Sequence, residues 1–246
     1  MIEKGEIGFD RRLKLPWLDF TADLVGRGAS PADVRQSLSQ HLEGVLAESG
    51  TRGARSKTIT VLCRLWCDDG SPVDQLRHEA IQFHRELPRK ESVWLHTGLA
   101  IATYPFFLST METLGRLLRL QQDVSLQEAT RRVCEQWGDR ERVARSGRHV
   151  IQTVRDWGLL ESTSKKGVYV SSEPRPLPQI DLGIWLVRAL LAGARRDIAP
   201  LAEILGSPAL YPFLMTTLTP HHLRQARQVR LVRHGLDEEL VSVGRA

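Results

Sequence analysis

The alternation of apolar and polar positions is most informative between Asp139 and Ser171. Val143, Gly147, Val150, Ile151, Val154 and Trp157 recur at helical spacing and form one apolar stripe. At 100° per residue the opposite side carries Arg142, Arg145, His149, Gln152 and Asp156, with Arg148 and Arg155 on the flank. Gly158 can end the helix in a left-handed cap. Leu159-Leu160-Glu161 then reads as a strand, Ser162 to Gly167 as a tip bearing Lys165 and Lys166, and Val168-Tyr169-Val170 as the return strand.

The same reading predicts helices along most of the chain. Trp17 to Arg27 is stopped by Gly28, and Ser30-Pro31 starts a second helix that runs to about Glu48 with Val34, Leu38, Leu42 and Val45 on one side. Ser49-Gly50-Thr51-Arg52-Gly53 is a turn. Ser56 can cap a third helix to about Trp66, whose buried side is Ile59, Leu62, Cys63 and Trp66. Further helices are expected from Pro72 to Leu87, from Ser92 to Tyr104 (apolar on most sides, hence buried), from Phe106 to Leu120 and from Leu126 to Trp137, with Asp123-Val124-Ser125 as a separator. Beyond a stiff linker at Pro174-Arg-Pro-Leu-Pro178, the pattern gives helices at Ile180–Gly193, Asp197–Leu205, Pro208–Met215 and Thr219–Ala226. Val229–Val232 and Leu240–Val243 read as a final hairpin. The fold class is therefore mainly α, with three segments: an N-terminal helix-turn-helix-like bundle (1–67), a helical region leading into the 139–171 stretch (68–173), and C-terminal helices with a short β-hairpin (174–246).

Helix, Gly, Leu-Leu, basic tip and Val-x-Val is the local grammar of a winged helix, and the helices at 105–120 and 125–137 supply the two supports such a module needs. In that geometry the helix lies in the DNA major groove and the tip touches the backbone. A second basic group sits near the N-terminus. Lys57, Thr60 and Arg64 lie on the outer side of the third helix, Arg52 and Arg55 precede it, and no acid occurs between Thr51 and Trp66. Both patterns also fit a rigid protein-docking scaffold with solvated arginines, or a winged-helix transcription regulator.

Composition narrows the partners. The net charge of +5 and a pI near 9.4 suit a nucleic-acid partner. Cys63, Cys67 and Cys134 are too few and scattered for a disulfide framework and read as reduced core thiols of a cytoplasmic protein. Met1 to Arg12 lacks an apolar signal core, and the apolar stretches 99–118 and 182–194 are interrupted by charge or proline, so no membrane partner is expected. Phosphate loops, Gly-x-Gly-x-x-Gly, Gly-x-Ser-x-Gly and His-Glu-x-x-His are absent from the sequence. Glu161 and Lys165 have the wrong spacing for a restriction-type metal site. The expectation is a protein that is not an enzyme, with no cofactor and no metal.

The order of parts resembles the BrxA family of bacteriophage-exclusion (BREX) defence loci. The matching pieces are Thr51-Arg52-Gly53-Ala54-Arg55-Ser56-Lys57 followed by an apolar helix ending Arg64-Leu65, and the 140–160 helix ending Trp157-Gly158-Leu159-Leu160; the likeness covers Trp17 to Val170. The resemblance implies a mostly α-helical, non-catalytic accessory protein that binds double-stranded DNA beside other phage-defence proteins: a methyltransferase, an ATPase and a phosphatase-like partner. Arg52, Arg55, Lys57 and Arg64 would be the transferred DNA contacts.

Overall fold

The structure, a computed structural model, describes residues 7–47, 53–235 and 238–244. Six helices come first: α1 (Leu15–Gly26), α2 (Pro31–His41), α3 (Ala54–Trp66), α4 (Asp74–Glu86), α5 (Ser92–Thr103) and α6 (Pro105–Leu120). A central unit follows, comprising β1 (Asp123–Ser125), α7 (Leu126–Trp137), α8 (Glu141–Asp156), β2 (Leu160–Ser162) and β3 (Val168–Ser171). The last part contains β4 (Arg175–Pro176), α9 (Ile180–Gly193), β5 (Ile198–Pro200), α10 (Leu201–Leu205), β6 (Phe213–Leu214), α11 (Pro220–Gln225), β7 (Val229–His234) and β8 (Glu238–Val243). The chain is mainly helical, as its apolar periodicity predicts, and the described residues form three small sheets ordered β1-β3-β2, β4-β6 and β5-β8-β7.

Several elements depart from the expectation. Helix α2 ends at His41 instead of near Glu48; the chain turns through Gly44 (φ 73°), leaving Val45 exposed outside the stripe. Helix α3 starts at Ala54 with Gly53 as its N-cap, so Arg55 lies in the first turn and Ser56 caps nothing. Residues 123–125 form an edge strand paired with β3 (Val124 opposite Tyr169). Residues 198–200 pair with β8 before α10 begins, and the expected helix at 208–215 is one 3-10 turn (Pro208–Leu210) followed by β6. The proline linker contains β4, which runs parallel to β6. Each of these strands is stabilised by a partner remote in sequence, which local periodicity does not report.

The core is organised around α5 and α9, both buried along nearly their whole length. They approach closely because two seam positions carry no side chain. A Cβ on Gly98 would lie 2.2 Å from Trp185 Cζ3, and one on Gly193 would lie 2.2 Å from the Ile101 carbonyl oxygen. Trp185 Nε1 donates to the Leu76 carbonyl (3.0 Å), which fixes α4 to the same seam. Arg77 on α4 is fully buried; its guanidinium donates to the carbonyls of Arg64 (2.6 Å) and Leu65 (3.3 Å) at the end of α3 and pairs with Asp69 and Asp74. Helix α1 is tied in through Asp19, 3.0 Å from His96 Nε2 on α5, and Asp23, 2.9 Å from His84 Nε2 on α4. Cys63, Cys67 and Cys134 are buried and unbridged. Among the described residues no helix is long and apolar enough to cross a membrane.

Two outcomes follow from this core. Gly98→Ala forces a methyl group into the Trp185 ring and should lower urea-measured stability by about 2–3 kcal/mol, in the range of overpacked cores; an unchanged midpoint would mean that the seam can open. Burial holds the fully enclosed His96 below its ordinary pKa of 6.5, against the opposing attraction of Asp19. The unfolded chain then binds the extra proton first. Stability is complete above pH 6.5 and falls as the pH drops through that value. Urea midpoints at pH 7.5 and 5.5 should differ in that direction, and by less in His96→Gln.

Candidate nucleic-acid interface

Helix α8 is positioned by its apolar side. Val143, Val150, Ile151 and Val154 are fully buried, and the Gly147 backbone sits against Val133 of α7. Trp137 at the end of α7 stacks edge-on against Phe106 (5.0 Å) and donates to Ser109 Oγ (2.9 Å), which anchors the α7–α8 pair on α6. The chain leaves α8 through Trp157, 1% exposed and set beside Phe107, and turns at Gly158 (φ 70°) into β2. Burial on that side leaves Arg142, Arg145 and Arg148 exposed on the other.

The hairpin tip is fixed as well. Thr163 N donates to the Val168 carbonyl and Thr163 Oγ1 accepts from Lys165 N, each at 3.1 Å. Leu126 N, at the first turn of α7, donates to the Gly167 carbonyl (2.8 Å), so the tip is stitched to the start of that helix. Ser125 Oγ caps α7 by accepting from Glu128 N at 3.0 Å. Together these contacts shape a groove of about 360 Å3 in which Arg148 from α8, Lys166 from the tip and Gln127 and Thr130 from the first turns of α7 line one concavity. The partial positive charge of the helix N-terminus adds to the two cations. Lys165 is exposed beside them.

The outward side of α8 is not uniform, and this corrects the sequence expectation. Residues 7–14 cross its C-terminal half as a strap. Leu13 N donates to the buried Thr153 Oγ1 (3.0 Å), Trp157 Nε1 donates to the Leu13 carbonyl (3.2 Å), and Arg12 pairs with Asp156. His149 is therefore half-buried beside Asp10 and Arg11. Burial, reinforced by the charge of Arg11, holds its imidazole below the ordinary histidine range. Asp156 is not a bare acid on this side. Burial alone would raise its pKa, but the hydrogen bonds and charges of Arg12 and Arg155 outweigh that and hold it below the usual carboxylate range. Arg155 also lies over the Tyr169 ring at 5.9 Å. Gln152 is half-buried. The open part of α8 is thus its first half, from Arg142 to Arg148, where among the described residues Arg145 has only a long, exposed pairing with Glu141 (3.8 Å).

The N-terminal basic residues do not share one surface. Arg52 lies outside the described residues. Arg55 is half-buried, with Nη1 3.4 Å from the Ser39 carbonyl of α2, about 180° around the helix from Arg64. Lys57 is exposed, and Arg64 sits over the Tyr104 ring at 5.4 Å. The strap links this end of α3 to α8. Tyr104 touches Gly8 and Phe9, and no more than about 11 Å of extended chain separates Gly8 from Arg11. The strap residues Arg11 and Arg12 were missed by sequence reasoning, because nothing in a short charged N-terminal segment announces a contact with a helix some 140 positions away.

Comparison of the chain with known protein families, curated proteins and solved structures finds no match.

The strap can be tested through its buried hydrogen bond. Thr153→Val keeps the shape but strands the Leu13 N–H, at a cost of about 1–3 kcal/mol. Limited trypsin digestion should then cut after Arg11 or Arg12 several-fold faster than in the unaltered chain; equal rates would show that the strap is held without this contact.

Proposed function

We propose that this chain is a non-catalytic double-stranded DNA-binding protein and that β1 to β3 form a winged helix, with α8 in the major groove and the Lys165–Lys166 tip on the adjoining backbone. The observation that carries this reading is the shared groove of Arg148, Lys166 and the start of α7. Two cations from separate elements and the N-terminus of a third face one concavity, and backbone contacts of this kind hold a protein in register on a duplex. The order strand, helix, helix, hairpin supports the same reading. So does the position of the open arginines in the first half of α8, since recognition helices meet base edges through their N-terminal residues. Arg142 and Arg145 are the candidates for the groove floor, Arg148, Lys165 and Lys166 for phosphate. Gln152 and His149 lie at the margin, where the strap begins.

The likeness of the 51–65 and 140–160 segments to BrxA suggests a setting: an accessory subunit working beside other phage-defence proteins. Lys57 and Arg64 would then extend the DNA path along the strap.

Gel-shift titrations on random duplex DNA at two salt concentrations test the DNA reading. Each lost phosphate contact should reduce the salt slope by about one unit, so the Arg148→Glu/Lys166→Glu double variant should flatten it by about two. Arg145→Glu should weaken binding well beyond Arg145→Ala. All three positions are exposed, and each substitution should change stability by no more than about 0.5 kcal/mol. Normal melting together with an unchanged slope and affinity would remove the winged helix from the account.

A further inference from the structure

A second feature lies away from this interface, where the start of α4, the C-terminal ends of α5 and α9 and the end of β8 enclose a cavity of about 550 Å3. Its walls are aliphatic, formed by Val73, Leu76, Ala102, Leu191 and Ala192, with Val243 at one side. Its polar lining is mainly cationic: Arg188, Arg195 and Arg196 against one carboxylate, Asp197, and one amide, Gln75. An apolar cavity of this size with a few convergent polar groups is the usual form of a small-molecule site.

The three arginines are not equivalent. Arg196 is paired with Glu203 at 2.6 Å. Arg188 is only 5% exposed, although it carries a full charge in the midst of the apolar α9. Its Nη1 donates to Glu79, and among the described residues its guanidinium has no other partner. A guanidinium offers five N–H donors, so one that engages a single carboxylate keeps donors for an anion at the cavity. Arg195, just past the end of α9, is exposed at the cavity and has no ion-pair partner among the described residues. The remaining carboxylates near Arg188 lie on its other side. Glu79, Glu86 and Asp181 line a separate groove with Phe83 and Trp185, so Arg188 stands between an acidic groove and a cationic, apolar-walled cavity. Arg188, Leu191 and Ala192 share one face of α9, which sets cation and aliphatic wall side by side.

We infer that this cavity binds a small amphipathic organic anion. Its oxyanion head, a carboxylate, sulfonate or phosphate, is received by Arg188 and Arg195, and its apolar body lies along Val73, Leu76, Ala102 and Leu191. The inference does not rest on DNA binding, and either can fail without the other.

Fluorescence titration of the full chain with 8-anilinonaphthalene-1-sulfonate, an aromatic anion, tests it, with decanoate and decan-1-ol as competitors. The expected result is one saturable site below about 1 mM, displaced by decanoate at concentrations about tenfold lower than by the neutral alcohol. Ala192→Trp, which fills the cavity, should abolish binding. Arg195→Glu should weaken decanoate by about tenfold or more. Arg188→Met should do the same, and if it fails to fold, the exposed Arg195→Glu still decides. Absence of saturable binding, dye binding that survives Ala192→Trp, equal competition by the alcohol, or an indifferent Arg195→Glu would each overturn the assignment.

Discussion

The close crossing of α5 and α9 is the constraint on which the other packing depends. Two helices that are apolar on nearly all sides bury the most surface when their backbones approach, and the missing side chains at Gly98 and Gly193 permit that approach. Trp185 then sets its ring against Gly98 and reaches Leu76 on α4. Helix α6 follows α5 after a single residue, Tyr104, so the direction of the seam sets the direction of α6. The α7–α8 pair is mounted on α6 through Trp137 and Phe106. The outward arginines of α8 therefore inherit their orientation from a contact several layers inside the molecule.

Polar groups then secure what the apolar seam leaves free. Arg77 satisfies two carbonyls at the end of α3, and Asp19 and Asp23 bind α1 to His96 and His84. Such buried pairs contribute modest net stability, yet leaving one member alone is expensive, so they specify which helices meet. The strap uses the same device at the surface. It covers Thr153 and neutralises Asp156, which leaves Glu141, at the start of the helix beside Arg145, as the exposed acid on the outward side of α8.

The helices were legible in the sequence because each carries its signal locally: Val143 through Trp157 repeat at helical spacing whatever surrounds them. The start signal Ser30-Pro31 is local for the same reason. The strands at 123–125, 198–200 and 213–214 were not legible. They are two or three residues long and exist through partners such as Tyr169, Val241 and Arg175, which no window around them contains. The candidate site divides along the same line. Arg142, Arg145 and Arg148 could be placed from helical phase alone. The shielding of His149 and Asp156, the withdrawal of Arg55 toward Ser39 and the stitch from Leu126 to Gly167 depend on contacts between distant segments.

Net charge is a weaker guide to the ligand than the pairing of individual cations. Many arginines in this chain are occupied: Arg77 by Asp69 and Asp74, Arg89 by Asp19 and Asp23, Arg131 and Arg132 by Glu135, Arg224 by Glu239. Those side chains have a structural account and need no partner from outside. Arg142, Arg148, Lys165 and Lys166 have no such account, since no ion pair engages them among the described residues, and Arg148 and Lys166 line one groove beside a helix N-terminus. Like charges gathered in this way destabilise a fold by a few tenths of a kcal/mol per neighbouring pair. The apolar stripe of α8 would hold the helix equally well with glutamines in their place. A cluster that the fold tolerates without using is better explained by what it meets. Unpaired cations beside one groove suit an anionic partner, and the proposed function takes that partner to be a duplex backbone.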